Sequence, residues 1–356
     1  MDERVVSEAL ATVFRPPARP RSIEELAGDA STRRYFRIRL SPGAPVPSLV
    51  VMEYPDPVPP GEELPFVHVH RYLHRAGIPV PEIYGHFPGT RLLLLEDGGD
   101  LLLERAVRES AEESDYLPLY ERSVEILVRI QHDGTRALDF SAIPSRLAFD
   151  VNKFAEEIDF FFEHAVREYG GIPLSDAEER AIEDLFLPVL TTLARLPRVL
   201  AHRDYHSRNI LVRPADGGPA SLRILDFQDA RMGTLFYDLA SLLRDSYVTL
   251  PEPAVDHLAY VYRHAAPGEL RRMGGDPGAF AAHLDLAALQ RNVKAIGTFG
   301  NQAANRGKRF YLRFIPPTVD HIEANIARNP RLRPLGRRLL PILSDLAGKA
   351  REEAPP

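Results

Sequence analysis

His202-Arg203-Asp204-Tyr205-His206-Ser207-Arg208-Asn209 is the densest run of reactive side chains in the sequence, and Asp226-Phe227-Gln228-Asp229 follows it after two short apolar segments. Those segments, Ile210 to Val212 and Leu222 to Leu225, read as strands joined by Pro214-Ala215-Asp216-Gly217-Gly218, whose composition marks a turn. A hairpin of that kind brings Asp204, Asn209 and Asp226 to one place. A polar run can also be only a self-bonded turn, because Asp, Asn and Ser favour turns. The spacing, the flanking strands and the second Asp together speak against that. His202, Asp204 and His206 could alternatively be alternating ligands of a hydrolytic metal site, a reading that leaves the hairpin and Asp226 unexplained.

Transfer of a phosphoryl group from a nucleotide needs a carboxylate to orient or accept the proton of the attacking hydroxyl, and hard oxygen ligands for Mg²⁺. The order H-R-D, four residues, N, hairpin, Asp is the catalytic-loop pattern of kinases. By that match Asp204 is the base, Asn209 and Asp226 are the metal ligands, and His202 braces the loop. A second element, Gly28-Asp29-Ala30-Ser31-Thr32-Arg33-Arg34-Tyr35-Phe36-Arg37, is a small polar turn running into the first clear strand. Such a turn can lay backbone N–H groups over phosphates, with arginines adding charge. Gly28, Asp29, Ser31, Thr32, Arg33 and Arg34 are therefore candidates for the nucleotide. The run Leu49-Val50-Val51-Met52-Glu53 lacks the lysine that a kinase strand carries there, so phosphate charge falls to Mg²⁺ and to Arg33, Arg34 or Arg37. The missing lysine also admits a kinase-like protein without turnover.

At 356 residues the chain exceeds the usual single core, and two lobes are expected. Hydrophobic residues at 44% and charged residues at 26% describe a soluble globular protein. With no cysteine, disulfides, thiolate metal sites and cysteine nucleophiles are excluded, which fits a reducing compartment. The acidic N-terminus has no signal-like apolar run, and no stretch reaches the roughly 20 apolar residues of a membrane span. A cytoplasmic protein without membrane contact is the expectation. A net charge of −6 argues against general nucleic-acid binding, although Gln290 to Leu340 holds eleven Lys/Arg against Asp320 and Glu323.

The first third reads as strand, strand, helix, strand, strand. Phe36, Ile38 and Leu40 alternate with arginines, Leu49 to Met52 is apolar, and Phe66, Val69, Leu73 and Ala76 follow helical spacing up to Gly77. Apolar runs around Ile83-Tyr84 and from Leu92 to Leu95 complete it, and Glu96-Asp97-Gly98-Gly99 reads as a hinge. Beyond that point apolar stripes at helical spacing dominate, as in Phe154, Ile158, Phe161, Phe162 and Ala165.

GDASTRRYFRI, LLLLEDGGD, HRDYHSRNIL, LDFQDA, YDLASLLRD and LQRNVKAIGTFG together resemble the anomeric sugar kinases that phosphorylate N-acetylmuramate and N-acetylglucosamine in cell-wall recycling. Those enzymes lie within the aminoglycoside phosphotransferase branch of the protein-kinase-like superfamily, and the resemblance runs from about Gly28 to about Gly300. It implies an α+β, bilobal protein-kinase-like fold with a small β-rich N-lobe (residues 1–96), a hinge near 95–99 and a larger, mostly helical C-lobe (97–356). ATP with Mg²⁺ is then implied in the cleft, with adenine near Leu95, Glu96 and Asp97. The acceptor amino sugar lies on the helical side, near His206, Arg208, Gln228 and Asp229. Asp238 and Arg244 are expected to form a structural pair. A monomer is plausible. Alternatives are a kinase of aminoglycosides, choline or a related alcohol, and a nucleotide-binding regulatory module. Polycationic aminoglycosides would want an acidic wall, and the basic stretch after Gln290 favours an anionic or neutral acceptor.

Overall fold

The computed structural model describes residues 1–26, 33–59, 61–215 and 218–355. Five strands, β1 (Pro20–Leu26), β2 (Arg34–Leu40), β3 (Ser48–Glu53), β4 (Ile83–Phe87) and β5 (Leu92–Glu96), form one sheet in the order β1-β2-β3-β5-β4. Each pairing is antiparallel. Alternation along the strands sends successive side chains to opposite faces. Leu49, Val51, Leu92 and Leu94 meet Val6 and Leu10 of the N-terminal helix Glu3–Val13, in a core of their own. Met52, Leu93 and Leu95 turn the other way, into the main core with Phe66, Val69 and Leu73 of the helix Pro65–Arg75. The four strands and the helix read from the sequence are all present. The helix Glu3–Val13 and the edge strand β1 are additions.

Helices dominate after β5, as the α+β expectation requires. Between the sheet and these helices runs Glu96-Asp97-Gly98-Gly99, where Gly99 has φ of 85°, a conformation that disfavours other residues. The remaining strands form two small ladders, β6 (Arg198–Ala201) with β9 (Arg231–Thr234), and the expected hairpin of β7 (Ile210–Ala215) with β8 (Gly218–Ile224). The 30-residue helix Pro277–Arg306 runs through the helical region and packs on the helix Val151–Phe161 and its π-helical continuation Phe162–Gly170. At Gly300 a Cβ would sit 2.6 Å from the Ala165 Cα and the His164 carbonyl oxygen, so only glycine permits this approach. That contact fixes where the preceding turns of the long helix present their side chains. Among the described residues no helix is long and apolar enough to cross a membrane.

Candidate active site

The loop from His202 to Asn209 leaves β6 and enters β7, and it is held by carboxylates from the helix Leu235–Leu243 and just beyond. Asp238 accepts from the His202 amide at 2.6 Å and from the Arg203 amide at 2.9 Å. Asp245 accepts from the amides of Ser207 at 2.8 Å and Tyr247 at 2.9 Å. Burial pushes both acids up, Asp238 to about 7 and Asp245 to about 6, against the pull of these same hydrogen bonds. His202 Nε2 lies 2.8 Å from the Leu225 carbonyl oxygen, and the Leu225 amide donates to the Asn209 carbonyl at 2.9 Å. These bonds tie the two ends of the hairpin together. Arg203 (φ 85°) and Asp226 (φ 61°) are held in the left-handed region, a cost of order 1–3 kcal/mol each that such a network over-determines.

Asp204, Asn209 and Asp226 line one cleft of about 1240 Å³ between the sheet and the helices. The Asp204 carboxylate, 22% exposed, takes Lys294 Nζ at 3.0 Å and Arg291 Nη2 at 3.2 Å, both on Oδ1. Among the described residues no donor reaches its Oδ2. Burial favours the neutral acid, but Lys294, Arg291 and Arg203 outweigh it and hold Asp204 well below the usual carboxylate range. Asn209 donates its amide N–H to the Asp204 carbonyl at 2.9 Å, which leaves its side-chain oxygen for another partner. Gln228 Nε2 donates to Asp226 Oδ1 at 2.8 Å, while the buried Gln228 Oε1 has no partner among the described residues.

Around this centre the other residues singled out from the sequence take distinct places. His206 lies edge-on to Tyr247 at 5.1 Å, and burial, with Arg291 next, lowers it to about 3, so its ring is neutral. Arg208 stacks its guanidinium over Tyr247 at 4.8 Å and near Phe310 and Tyr311, with Glu104 3.6 Å away. The half-exposed Asp229 faces Arg203 at 3.8 Å. Leu95 lines the cleft beside Val50 and Leu211, an apolar stretch next to the Glu96–Gly99 segment. Glu96 pairs with Arg213 and Arg223 of the hairpin. Asp97 is clasped by Arg37 at 2.8 Å, Ser48 at 2.7 Å and the Gly99 amide at 3.0 Å. Arg33 lines the cleft, whereas Arg34 does not reach it: Glu25 at 3.0 Å and Glu53 at 3.3 Å hold it on the sheet. Gly28, Asp29, Ser31 and Thr32 lie outside the described residues.

One expectation is corrected, and one alternative loses its support. Asp238 and Arg244 do not pair, because six residues, about 1.7 helical turns, put them on different faces. Arg244 instead clamps Glu252 at 2.6 and 2.9 Å. The hydrolytic metal reading of His202, Asp204 and His206 also falls, since no group of three His, Cys, Asp or Glu placed to hold a metal occurs among the described residues. Sequence reasoning missed Arg291 and Lys294. The sequence shows them as two cations three residues apart in a largely apolar helical run, with nothing local to tie them to Asp204.

Residues 22–274 match the phosphotransferase enzyme family. The N-acetylmuramate/N-acetylglucosamine kinase of Pseudomonas aeruginosa is 31% identical over 95% of this chain and 92% of its own length. That of Pseudomonas putida is 30% identical over 93% and 90%. Among solved structures, the ADP-bound aminoglycoside phosphotransferase APH(2'')-Ib aligns with a TM-score of 0.55 at 14% identity, covering 91% of this chain and 97% of that one. Choline kinase from Cryptosporidium parvum gives 0.54 at 12% identity, covering 97% and 98%. These two likenesses establish the kinase-like fold. With its catalytic-loop spacing, its fold and its near full-length relatives in agreement, the chain belongs to the phosphotransferase enzyme family, in the branch that holds the N-acetylmuramate/N-acetylglucosamine kinases.

Proposed function

We propose that this protein is an ATP-dependent kinase that phosphorylates the anomeric C1 hydroxyl of N-acetylmuramate and N-acetylglucosamine, in the cytoplasm and as a monomer, feeding peptidoglycan recycling. The observation that carries the reading is an open carboxylate oxygen, Asp204 Oδ2, in a cleft of a chain that aligns almost end to end with kinases named for these two sugars. Residues 1–96 form the nucleotide lobe, the hinge lies near 95–99, and residues 97–356 carry the loop and the acceptor. Adenine sits against the apolar stretch at Leu95, with Glu96 and Asp97 holding the segment. Arg33, which lines the cleft, takes the phosphates.

The donor set fits Mg²⁺. A carboxylate and an amide oxygen are hard ligands, and this ion keeps waters and takes nucleotide phosphates for its other positions. Asp226 and Asn209 would hold it, and bound there it would neutralise phosphate charge. Asp204 accepts the hydroxyl of the sugar on Oδ2 and orients it. Because Lys294 and Arg291 lower its basicity, the proton moves late, which suits a loose transfer and the relatively acidic anomeric hydroxyl. His206, Arg208, Gln228 and Asp229 border the acceptor. Of the basic stretch after Gln290, Arg291 and Lys294 line the cleft, while Arg309 and Arg328 pair outward with Glu353 and Asp285. Cations at the cleft favour an acceptor that is neutral or anionic.

Product NMR on the two sugars and on their 1-O-methyl glycosides tests this reading. The α-1-phosphates are expected from the free sugars and no product from the glycosides. Phosphate at carbon 6, or turnover of the glycosides, would end the anomeric assignment.

A further inference from the structure

Phosphoryl transfer spreads negative charge over the oxygens of the moving group, and cations fixed in advance near those oxygens lower its barrier. On the sheet side of this cleft Arg33 lines the wall, and among the described residues the other candidate cations are missing or engaged. β3 carries no lysine, Arg34 is held by Glu25 and Glu53, and Arg37 is held by Asp97 and Asp100. On the helical side, Arg291 and Lys294 reach one oxygen of Asp204 from adjacent turns.

The two cations differ in what they have left to offer. Arg291 is fixed twice, with Nε on Ser241 Oγ at 2.7 Å and Nη2 on Asp204. Lys294 lines the cleft with a 13% exposed side chain, and Asp204 Oδ1 is the one partner of its ammonium among the described residues. An ammonium has three donors, so two remain for a ligand. The hydroxyl that reacts would lie on Oδ2 of the same carboxylate, which makes Lys294 its neighbour. A buried ammonium with unspent donors is costly unless a ligand takes them.

We propose that Lys294 is a catalytic residue that donates to the transferred γ-phosphoryl group of ATP, supplying from the helical side the cation that the strand lacks. In that step the acceptor hydroxyl oxygen bonds to the γ-phosphorus as the bond from that phosphorus to the β–γ bridging oxygen breaks. The electron pair of the broken bond leaves with ADP, and the hydroxyl proton passes to Asp204 Oδ2 and then to solvent. Lys294 transfers nothing. It holds two donors where charge accumulates, and Asp204 keeps the ammonium oriented. The inference rests on the kinase reading but not on the identity of the sugar.

Lys294→Met and Lys294→Arg test it with two readouts. Calorimetric titration with ADP alone should give an affinity within about threefold of the parent for both variants. With ADP plus aluminium fluoride, which mimics the moving phosphoryl group, Lys294→Met should bind about tenfold or more weakly and Lys294→Arg should recover part of the loss. In steady state, kcat for sugar phosphorylation should fall about 10²-fold in Lys294→Met, with KM for ATP and for each sugar little changed. Lys294→Arg, which keeps the charge, decides the matter if the Met variant does not fold. An unchanged affinity for ADP with aluminium fluoride overturns the proposal. So does a loss confined to KM for N-acetylmuramate, which would assign Lys294 to the sugar carboxylate. If neither sugar is a substrate, the acceptor reading fails alone, because the titration and the slow hydrolysis of ATP by water still judge Lys294.

Discussion

Replacing Asp204 with Asn removes the charge that two cations share, and the structure sets the size of the effect. Lys294 and Arg291 approach the same oxygen at 3.0 and 3.2 Å, so the substitution takes the local charge from one net positive to two. At the effective dielectric of a protein each such contact is worth about 5 kcal/mol of gross Coulomb attraction. Most of that is returned as desolvation of the carboxylate. Breaking a fully buried pair costs about 3–5 kcal/mol, and the 22% exposure of Asp204 places the expected loss lower, at about 2–3 kcal/mol. Urea unfolding measures it. Asp204→Asn combined with Lys294→Met should be more stable than Asp204→Asn alone, by about 1 kcal/mol, because one of two unpaired cations is gone. In the same preparation kcat with ATP and N-acetylglucosamine should fall by about 10²-fold or more. A kcat within about threefold of the parent would refute Asp204 as the base. An unchanged urea midpoint would refute the account of the ion cluster.

Three further outcomes follow from the geometry. Asp226→Ala should weaken nucleotide binding with Mg²⁺ more than without it, in paired titrations; equal losses would remove Asp226 as an ion ligand. Arg33→Ala should raise KM for ATP while Arg34→Ala leaves it unchanged, and Arg37→Ala should lower stability by about 3 kcal/mol by stranding Asp97, which is 9% exposed; a shift of KM in Arg34→Ala would contradict its engagement by Glu25 and Glu53. His206 has a folded pKa lowered to about 3, so the unfolded chain takes the proton first as pH falls and stability is lost from about pH 6.5 downward; His206→Gln should flatten that slope by about 1.4 kcal/mol per pH unit, measured by denaturant titrations between pH 4 and 6, and an unaltered slope would mean that His206 charges in the native state.

The hairpin and its two acids were legible in the sequence because they are local: strand runs, a turn and fixed spacing lie within 25 residues of one another. The four strands with alternating or continuous apolar runs were legible for the same reason. β1 was not, since Pro20-Arg21-Ser22-Ile23-Glu24-Glu25-Leu26 is a solvated edge strand and offers two large apolar residues without alternation. The helix Glu3–Val13 did carry a signal, with Val5, Val6, Ala9, Leu10 and Val13 at helical spacing, and its apolar face closes the far side of the sheet. Arg37 was legible as a cation but not as the clasp of Asp97, because Asp97 and Asp100 lie 60 and 63 residues away in sequence. Lys294 was hidden for the same reason at 90 residues from Asp204. Pairings across such distances are decided by packing, here by Gly300 seating the long helix against Ala165.

That packing also explains how the basic loop partners and, in the proposed reaction, a weak base at Asp204 fit together. A carboxylate held far below its ordinary range is a poor proton acceptor, and in a reaction that needed early deprotonation it would be a handicap. In a loose transfer the attacking hydroxyl has little bond order to phosphorus when the leaving group departs, so its proton is lost late and needs only a fixed acceptor. The same two cations that weaken Asp204 keep it ionised, fix its orientation through Oδ1 and leave Oδ2 for the hydroxyl. They also offset the negative charge that nucleotide phosphates bring into the cleft, which a bare carboxylate would oppose. On the proposed reading, the cations of the helix that holds Asp204 stand in for the charge a strand lysine would bring.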